Sequence, residues 1–245
     1  MHGRSADLAA DVTITRLLEL TVATRNRRRF EVFSSSGLHP IRLQPGRGPL
    51  TTQIQPHIGV LALQGAFAAH AQALTEAGAA AFEIRKAEEL AQADALVLPG
   101  GESTTMLKFI ESRGLFHALE DFCQIKPVFA TCAGAILLAR EVTHPPQRSL
   151  GLLDAVVERN AYGRQIDSTI LTLETKLEGG PLEMVFIRAP RIVSVGPGVE
   201  VLAQREGFPV LVRQGAILAA TFHPELTRDR RVHRLFVQLV AAAQG

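Results

Sequence analysis

At 245 residues, with hydrophobic side chains making up 47% of the chain and a net charge of +2, the sequence can bury one large α/β core or two small ones. The charge gives no argument for nucleic acid, and no apolar run reaches the length of a membrane span. Two cysteines, Cys123 and Cys132, do not make a disulfide framework and read as reduced thiols of a cytoplasmic protein.

The first 57 residues differ from the rest. They carry 8 arginines against 4 acids, a net of +4, which leaves the remainder at −2. Asp11 to Thr24 reads as a short amphipathic helix, Arg25 to Arg29 is basic, and Leu38 to Pro56 has the Pro, Gly, Gln and Thr content of a linker. Asp7, Asp11, Glu19 and Glu31 argue against a transit peptide, and no secretory apolar region is present. Three readings of residues 1–57 stand: a solvated, disordered arm, a basic cluster that binds something acidic, or upstream sequence joined by a mistaken start. Residues 58–245 are expected to form the compact domain.

From His57 onward strands and helices alternate. Ile58 to Leu63 is an apolar run suited to a strand covered on both faces, and Gln64-Gly65 ends it. Ala66 to Ala77 reads as a helix stopped by Gly78, followed by a strand over Ala81–Arg85 and a short helix over Ala87–Gln92. Ala95 to Pro99 is a third strand, closed by Gly100-Gly101-Glu102-Ser103. Two helices, Thr104–Arg113 and Leu115–Gln124, come next. Val128 to Ala130 is the end of a fourth strand. Thr131-Cys132-Ala133-Gly134 is a small-residue corner, and Ala135 to Ala139 begins a helix. Such alternation implies a mainly parallel sheet with helices on both faces, in three layers. In such sheets ligands sit at the carboxyl ends of strands. Gln64-Gly65, Gly100-Gly101 and Cys132 all fall there.

Later segments are shorter and several alternate apolar with polar: Val156–Arg159, Ser168–Leu177, Glu183–Arg188, Ile192–Val195, Glu200–Arg205, Pro209–Arg213 and Ala216–Thr221. They read as strands that extend the sheet and add antiparallel pieces. Arg230 to Ala243 closes the chain as a helix with Val232, Leu235, Phe236 and Leu239 on its inner stripe.

The strand–corner–helix around Cys132 resembles a nucleophile elbow, which holds a reactive side chain on a tight turn above a sheet. The following helix points its amide end at the sulfur, which favours thiolate. A thiol nucleophile needs a base, and the base an orienting group. His223-Pro224-Glu225 offers both, since residues two apart in extended backbone point the same way. The plainer alternatives are a core cysteine and a surface loop. For Gly100-Gly101 the alternative is an ordinary strand-to-helix turn, for Arg159 and Arg188 surface charges, and for His70 and Glu102 solvated helix or loop residues. Cys123 lacks an elbow and reads as a core thiol.

The set resembles the class I, or triad, glutamine amidotransferases. More closely, residues 58–243 resemble the glutaminase subunit of the pyridoxal 5'-phosphate synthase complex. The stretches that carry the match are Gly59–Gly65, Leu98–Thr105, Thr131–Gly134, Val157–Gln165 (which contains R-N-x-x-G-R-Q), Phe186–Pro190 and Phe222–Leu226. The family does not normally carry an extension like residues 1–57. The resemblance implies a flavodoxin-like α/β fold with added antiparallel strands. It also implies hydrolysis of L-glutamine to glutamate and ammonia by Cys132, His223 and Glu225. Glutamine would be gripped by Gly100, Gly101, Glu102, Arg159, Ile187 and Arg188, with an arginine suited to the α-carboxylate. Gln64, Gly65, Gly101 and Ala133 would supply the oxyanion hole. The implied partner is a separate pyridoxal 5'-phosphate synthase subunit that receives the ammonia and raises a weak basal activity. No metal and no cofactor is expected.

Overall fold

The computed structural model describes residues 55–161 and 168–244. The expected helix over Asp11–Thr24, the linker over Leu38–Pro56 as far as residue 54, and Tyr162 to Gln165 of the R-N-x-x-G-R-Q stretch lie outside the described residues.

Seven strands form the main sheet. In chain order, β1 (His57–Leu61), β2 (Ala80–Ile84), β3 (Ala95–Leu98) and β4 (Val128–Thr131) precede two small sheets. The remaining strands of the main sheet are β10 (Glu200–Arg205), β11 (Phe208–Gln214) and β12 (Ile217–Ala220). The spatial order is β10-β11-β12-β4-β3-β1-β2. The five strands from β12 to β2 run parallel, and β10 and β11 join antiparallel at one edge.

The central strands read as unbroken apolar runs because both faces are covered. Leu96 and Leu98 of β3 face one layer, while Ala95 and Val97 face the other. In β4, Val128 and Ala130 likewise oppose Phe129. The first layer holds α2 (Ser103–Ser112), α3 (Phe116–Ile125) and α4 (Ala133–Leu138), packed through Met106, Ile110, Leu119 and Leu137. It also takes in β5 (Ala139–Thr143), β6 (Leu153–Glu158) and β9 (Arg191–Val195), which form a three-stranded sheet. The second layer holds α1 (Phe67–Glu76), α5 (Arg231–Gln244) and the hairpin of β7 (Ser168–Leu173) with β8 (Leu182–Ile187). Leu74, Val232, Phe236, Met184 and Phe186 are its buried anchors. The three-layer, mainly parallel architecture with added antiparallel strands is thus present.

Two local readings are corrected. The helix after Cys132 begins at Ala133 and ends at Leu138, and the chain leaves Ala139 as β5 and not as helix. Alanine and leucine favour helix locally, but pairing with β6 overrides that preference from Ala139 onward. His223 to Glu225 is not extended: Pro224–Leu226 forms a 3-10 turn.

Candidate active site

The site lies where four adjacent parallel strands end. Pairing of Ala220 with Thr131, and of Leu98 with Ala130, sets the ends of β12, β4 and β3 side by side, with β1 next in order. The residues that follow these ends are His223, Cys132, Gly100-Gly101 and Gln64-Gly65. Sheet register therefore brings together groups that lie far apart in sequence.

Cys132 occupies a sharp corner with φ of 47° and ψ of −105°, a conformation few side chains adopt. Its amide donates to Ala220 O at 2.9 Å, which ties the corner to β12. Its Sγ faces Ile187 O at 4.0 Å. Gly134 lets α4 pack onto β3, since an added Cβ would stand 2.9 Å from Leu98 Cβ and overlap the Leu98 carbonyl. Ala133, the residue after the sulfur, is fully buried at the start of α4.

His223 and Glu225 are both buried. The 3-10 turn, and not an extended backbone, brings Glu225 Oε1 to 2.7 Å from His223 Nδ1. His223 is anchored through its own amide, which donates to Val185 O of β8 at 2.8 Å. Burial alone would push the His223 imidazolium pKa down. Glu225 and Cys132 beside it outweigh that and hold it well above the usual histidine value. Burial would likewise raise Glu225, yet His70 and His223 pull it down to about 2. The pair therefore favours imidazolium and carboxylate.

The Gly100-Gly101 turn lies against the His223 imidazole and Cys132 Cβ. A Cβ on Gly100 would stand 2.9 Å from His223 Nδ1 and 3.3 Å from Cys132 Cβ. Gln64 clasps the same turn at two points. Its Nε2 donates to Glu102 O at 3.1 Å, and its Oε1 accepts from Glu102 N at 3.2 Å. Gly65 lies beside the Gly100 carbonyl, which accepts from Ala66 N at 3.4 Å. The structure thus brings Gln64, Gly65, Gly100, Gly101 and Glu102 into one loop cluster.

Glu102 caps α2: its carboxylate accepts from Thr104 N at 3.0 Å and Thr105 N at 2.6 Å. Burial would raise its pKa, but these bonds lower it. Arg159, its side chain only 11% exposed, donates through Nη2 to Thr104 Oγ1 at 2.7 Å and lies 3.8 Å from Glu102 Oε1. It is an inward-turned cation and not a surface charge. Ile187 ends β8 with its carbonyl beside the sulfur, and Arg188 follows it, exposed, at φ of 43°.

Residues missed by the sequence reading lie behind His223 and Glu225. His70 is not a solvated helix residue but fully buried, as is His233. The signal was present: His70, Ala73 and Leu74 form one buried stripe of α1, and Val232, His233, Phe236 and Val240 one of α5. Cys123, on the buried face of α3, has its thiol pKa pushed up to about 12 by burial. Among the described residues no group of three or more His, Cys, Asp or Glu is placed to hold a metal ion, and no helix is long and apolar enough to cross a membrane.

Residues 60–242 match the model of the SNO glutamine amidotransferase family. The chain is similar to the pyridoxal 5'-phosphate synthase subunit PdxT of Koribacter versatilis (strain Ellin345), 61% identical over 183 residues that cover 75% of this chain and 95% of the relative. It is similar also to the PdxT subunit of Solibacter usitatus (strain Ellin6076), at 55% identity over 186 residues, 74% of this chain and 97% of the relative. A solved structure described as a glutamine amidotransferase superposes with a TM-score of 0.69 at 49% identity, covering 75% of this chain and 98% of that one.

Proposed function

The chain belongs to the SNO glutamine amidotransferase family, and on that premise we propose that it is the glutaminase subunit of a pyridoxal 5'-phosphate synthase. The observation that carries the reading is the hydrogen bond from His223 to Glu225, at 2.7 Å, beside a cysteine held on a strained corner.

In this reading the Cys132 thiolate adds to the side-chain amide carbon of L-glutamine. The amide oxygen becomes an oxyanion, which needs donors already in place. Ala133 and Gly101 offer backbone amides, and Gln64-Gly65 completes the hole. The His223 imidazolium gives its proton to the amide nitrogen, the carbon–nitrogen bond breaks, and ammonia leaves a glutamyl thioester on Cys132. His223, now neutral, takes a proton from water as the water attacks the thioester. Glutamate departs, and the thiolate–imidazolium pair returns. Glu225 keeps the imidazole in orientation throughout. Arg159 and Arg188 supply cationic partners for the substrate carboxylate. Gly100, Gly101, Glu102 and Ile187 line the glutamine.

The ammonia passes to the synthase subunit, which accelerates the glutaminase when it docks. Two free thiols, Cys123 and Cys132, fit a reducing cytoplasm. Residues 58–245 make up the amidotransferase domain.

The test is glutamate and ammonia release from L-glutamine, with and without a pyridoxal 5'-phosphate synthase subunit, for the wild type and Cys132→Ala. Activity that rises with the synthase subunit and vanishes in the variant supports the reading. Turnover unchanged in Cys132→Ala, or no turnover by the wild type in either condition, overturns it.

A further inference from the structure

Four buried titratable side chains run inward from the site. His223 Nδ1 is 2.7 Å from Glu225 Oε1. On the far side of the carboxylate, Glu225 Oε2 is 3.2 Å from His70 Nε2, and that nitrogen is also 3.0 Å from Thr131 Oγ1. His70 Nδ1 is 3.2 Å from His233 Nε2. Phe129, on the strand that leads to Cys132, meets both rings edge-on, at centroid distances of 5.7 Å and 5.6 Å. Glutamine hydrolysis as outlined above uses neither His70 nor His233. Yet burying two polar rings is costly unless their polar atoms gain partners.

The partners decide the tautomers. A neutral imidazole has one N–H donor and one lone pair. With its proton on Nδ1, His70 would turn a bare Nε2 lone pair toward the Glu225 carboxylate. His233 would then accept on Nε2 and carry its proton on Nδ1, an atom that is buried without a hydrogen-bond partner. The opposite assignment has neither fault. His233 Nε2–H donates to His70 Nδ1, and His70 Nε2–H points between Thr131 Oγ1 and Glu225. The orphan atom is then a lone pair, which is easier to bury than an N–H. Glu225 Oε2 receives no well-aligned hydrogen bond, so what His70 offers it is chiefly the positive end of an N–H dipole in a dry site.

We propose that His70, locked in its Nε2–H tautomer by His233 and Thr131, is a positioning residue that keeps Glu225 a carboxylate and so holds His223 for the reaction. This rests on the triad reading given above. The charged and titratable groups around His70 are Glu225 and His223 from the turn after β12 and His233 of α5, which in turn feels Arg230 just before that helix. Burial keeps His70 below its ordinary pKa, against the pull of Glu225, so it acts as a neutral dipole. Burial also takes His233 down to about 3, which leaves its Nε2–H as a steady neutral donor.

The experiment compares the full-length wild type with His70→Leu, His70→Gln and His233→Leu. The first readout is the pH profile of kcat/KM for glutamine in the presence of the synthase subunit. The second is the pH profile of iodoacetamide alkylation at Cys132, which needs no turnover. His70→Leu is expected to lower kcat/KM by about 10- to 100-fold, a fall of the size that follows when the hydrogen-bonding partner behind a metal-ligating residue is lost. Its acid limb should move to higher pH, because Glu225 would take up a proton more readily. The alkylation profile should move the same way. His70→Gln, which keeps an N–H near that position, should recover most of both. His233→Leu should shift both profiles in the same direction but less. Profiles unmoved in both Leu variants, or Gln failing alongside Leu with an unshifted profile, would reduce His70 to packing and overturn the proposal. Should His70→Leu lose its cooperative melt, the His233→Leu profiles alone decide. A wild type that alkylates as expected but hydrolyses no glutamine would count against the glutaminase reading. The alkylation shifts would still judge His70.

Discussion

Gly100 lies against the edge of the His223 ring so closely that no side chain fits between them. A Cβ there would overlap Cε1 and stand 2.9 Å from Nδ1. Gly100→Ala therefore forces the imidazole away from Cys132, while the loop backbone can keep its path. A misplacement of about 1 Å at a reacting group costs on the order of 100-fold in rate. The expected outcome is a fall in kcat of that size with a melting temperature close to wild type. Glutamine turnover and a thermal melt on the same sample check it. Wild-type turnover would mean that Gly100 is only a turn.

Gly134 makes the contrasting case. Its neighbour is the backbone of β3, with Leu98 C at 2.8 Å from an added Cβ. A central strand cannot move aside as a side-chain ring can. Gly134→Ala is expected to cost about 1–3 kcal/mol of stability, the usual range for overpacking. That lowers the melting temperature by roughly 2–4 °C per kcal/mol in a chain of this size. Chemical denaturation measures it directly. A stability equal to wild type would show that α4 can slide on β3.

The central sheet was legible because burial on both faces turns β1, β3 and β4 into unbroken apolar runs. The elbow was legible because a close-packed corner needs small residues. The pairing of His223 with Glu225 was also legible, but for a different backbone reason: the turn at Pro224 does what extended geometry was expected to do. Strand β5 was not, since Ala139 follows a six-residue helix whose period is too short to show its end. The clasp of Gln64 on Glu102, and the contact of His70 with Glu225, join residues far apart in sequence. Local pattern carries no trace of such contacts until the strands are ordered. For His70 and His233, helical stripes gave burial but not partners.

The two cysteines should react very differently. Cys132 adjoins an imidazolium held by Glu225, whereas burial drives the Cys123 thiol to about 12. Near neutral pH, iodoacetamide should label one site per chain, with Cys132 faster than Cys123 by more than about 100-fold, because the thiolate is the nucleophile and burial keeps Cys123 a protonated thiol. Peptide mass mapping over a time course, with Cys132→Ala as the control, reads this out. Comparable labelling of both thiols would be inconsistent with an activated Cys132.

Acid should unfold the protein through the same buried groups. His233 binds its proton near pH 3 when folded but near 6.5 when unfolded. Its contribution is therefore present above about 6.5 and is lost as pH falls toward 3. Glu225, at about 2 folded against 4.5 unfolded, adds a loss of the same sign between those values, and His70, which burial also holds below its ordinary pKa, adds another as pH falls below about 6.5. His223 works in reverse. Its folded pKa is raised, so its contribution is full below about 6.5 and fades as pH rises through the folded value. Melting temperature should thus decline on the acid side from about pH 6.5. His233→Leu should flatten that decline between about pH 6.5 and 3 and leave the alkaline side unchanged. Parallel acid limbs in the two proteins would contradict the assignment to His233.

Arg159 separates binding from chemistry. Its guanidinium is largely shielded and is held by Thr104 Oγ1 at 2.7 Å, with Glu102 3.8 Å away. Both neighbours belong to the start of α2, directly after the Gly100-Gly101 turn, so Arg159 is fixed to the element that borders the sulfur. A guanidinium in that place can meet a carboxylate with two parallel N–H donors, which a lysine ammonium cannot match. Losing a charge-assisted hydrogen bond costs about 1.5–3 kcal/mol, or roughly 10- to 100-fold in affinity. Arg159→Ala is expected to raise KM for glutamine by that factor, with a smaller change in kcat, and Arg159→Lys to recover only part of it. Steady-state kinetics with the synthase subunit present would resolve the two constants. A fall in kcat at unchanged KM would place Arg159 on the transition state, and no change in either would return it to a structural role beside Glu102.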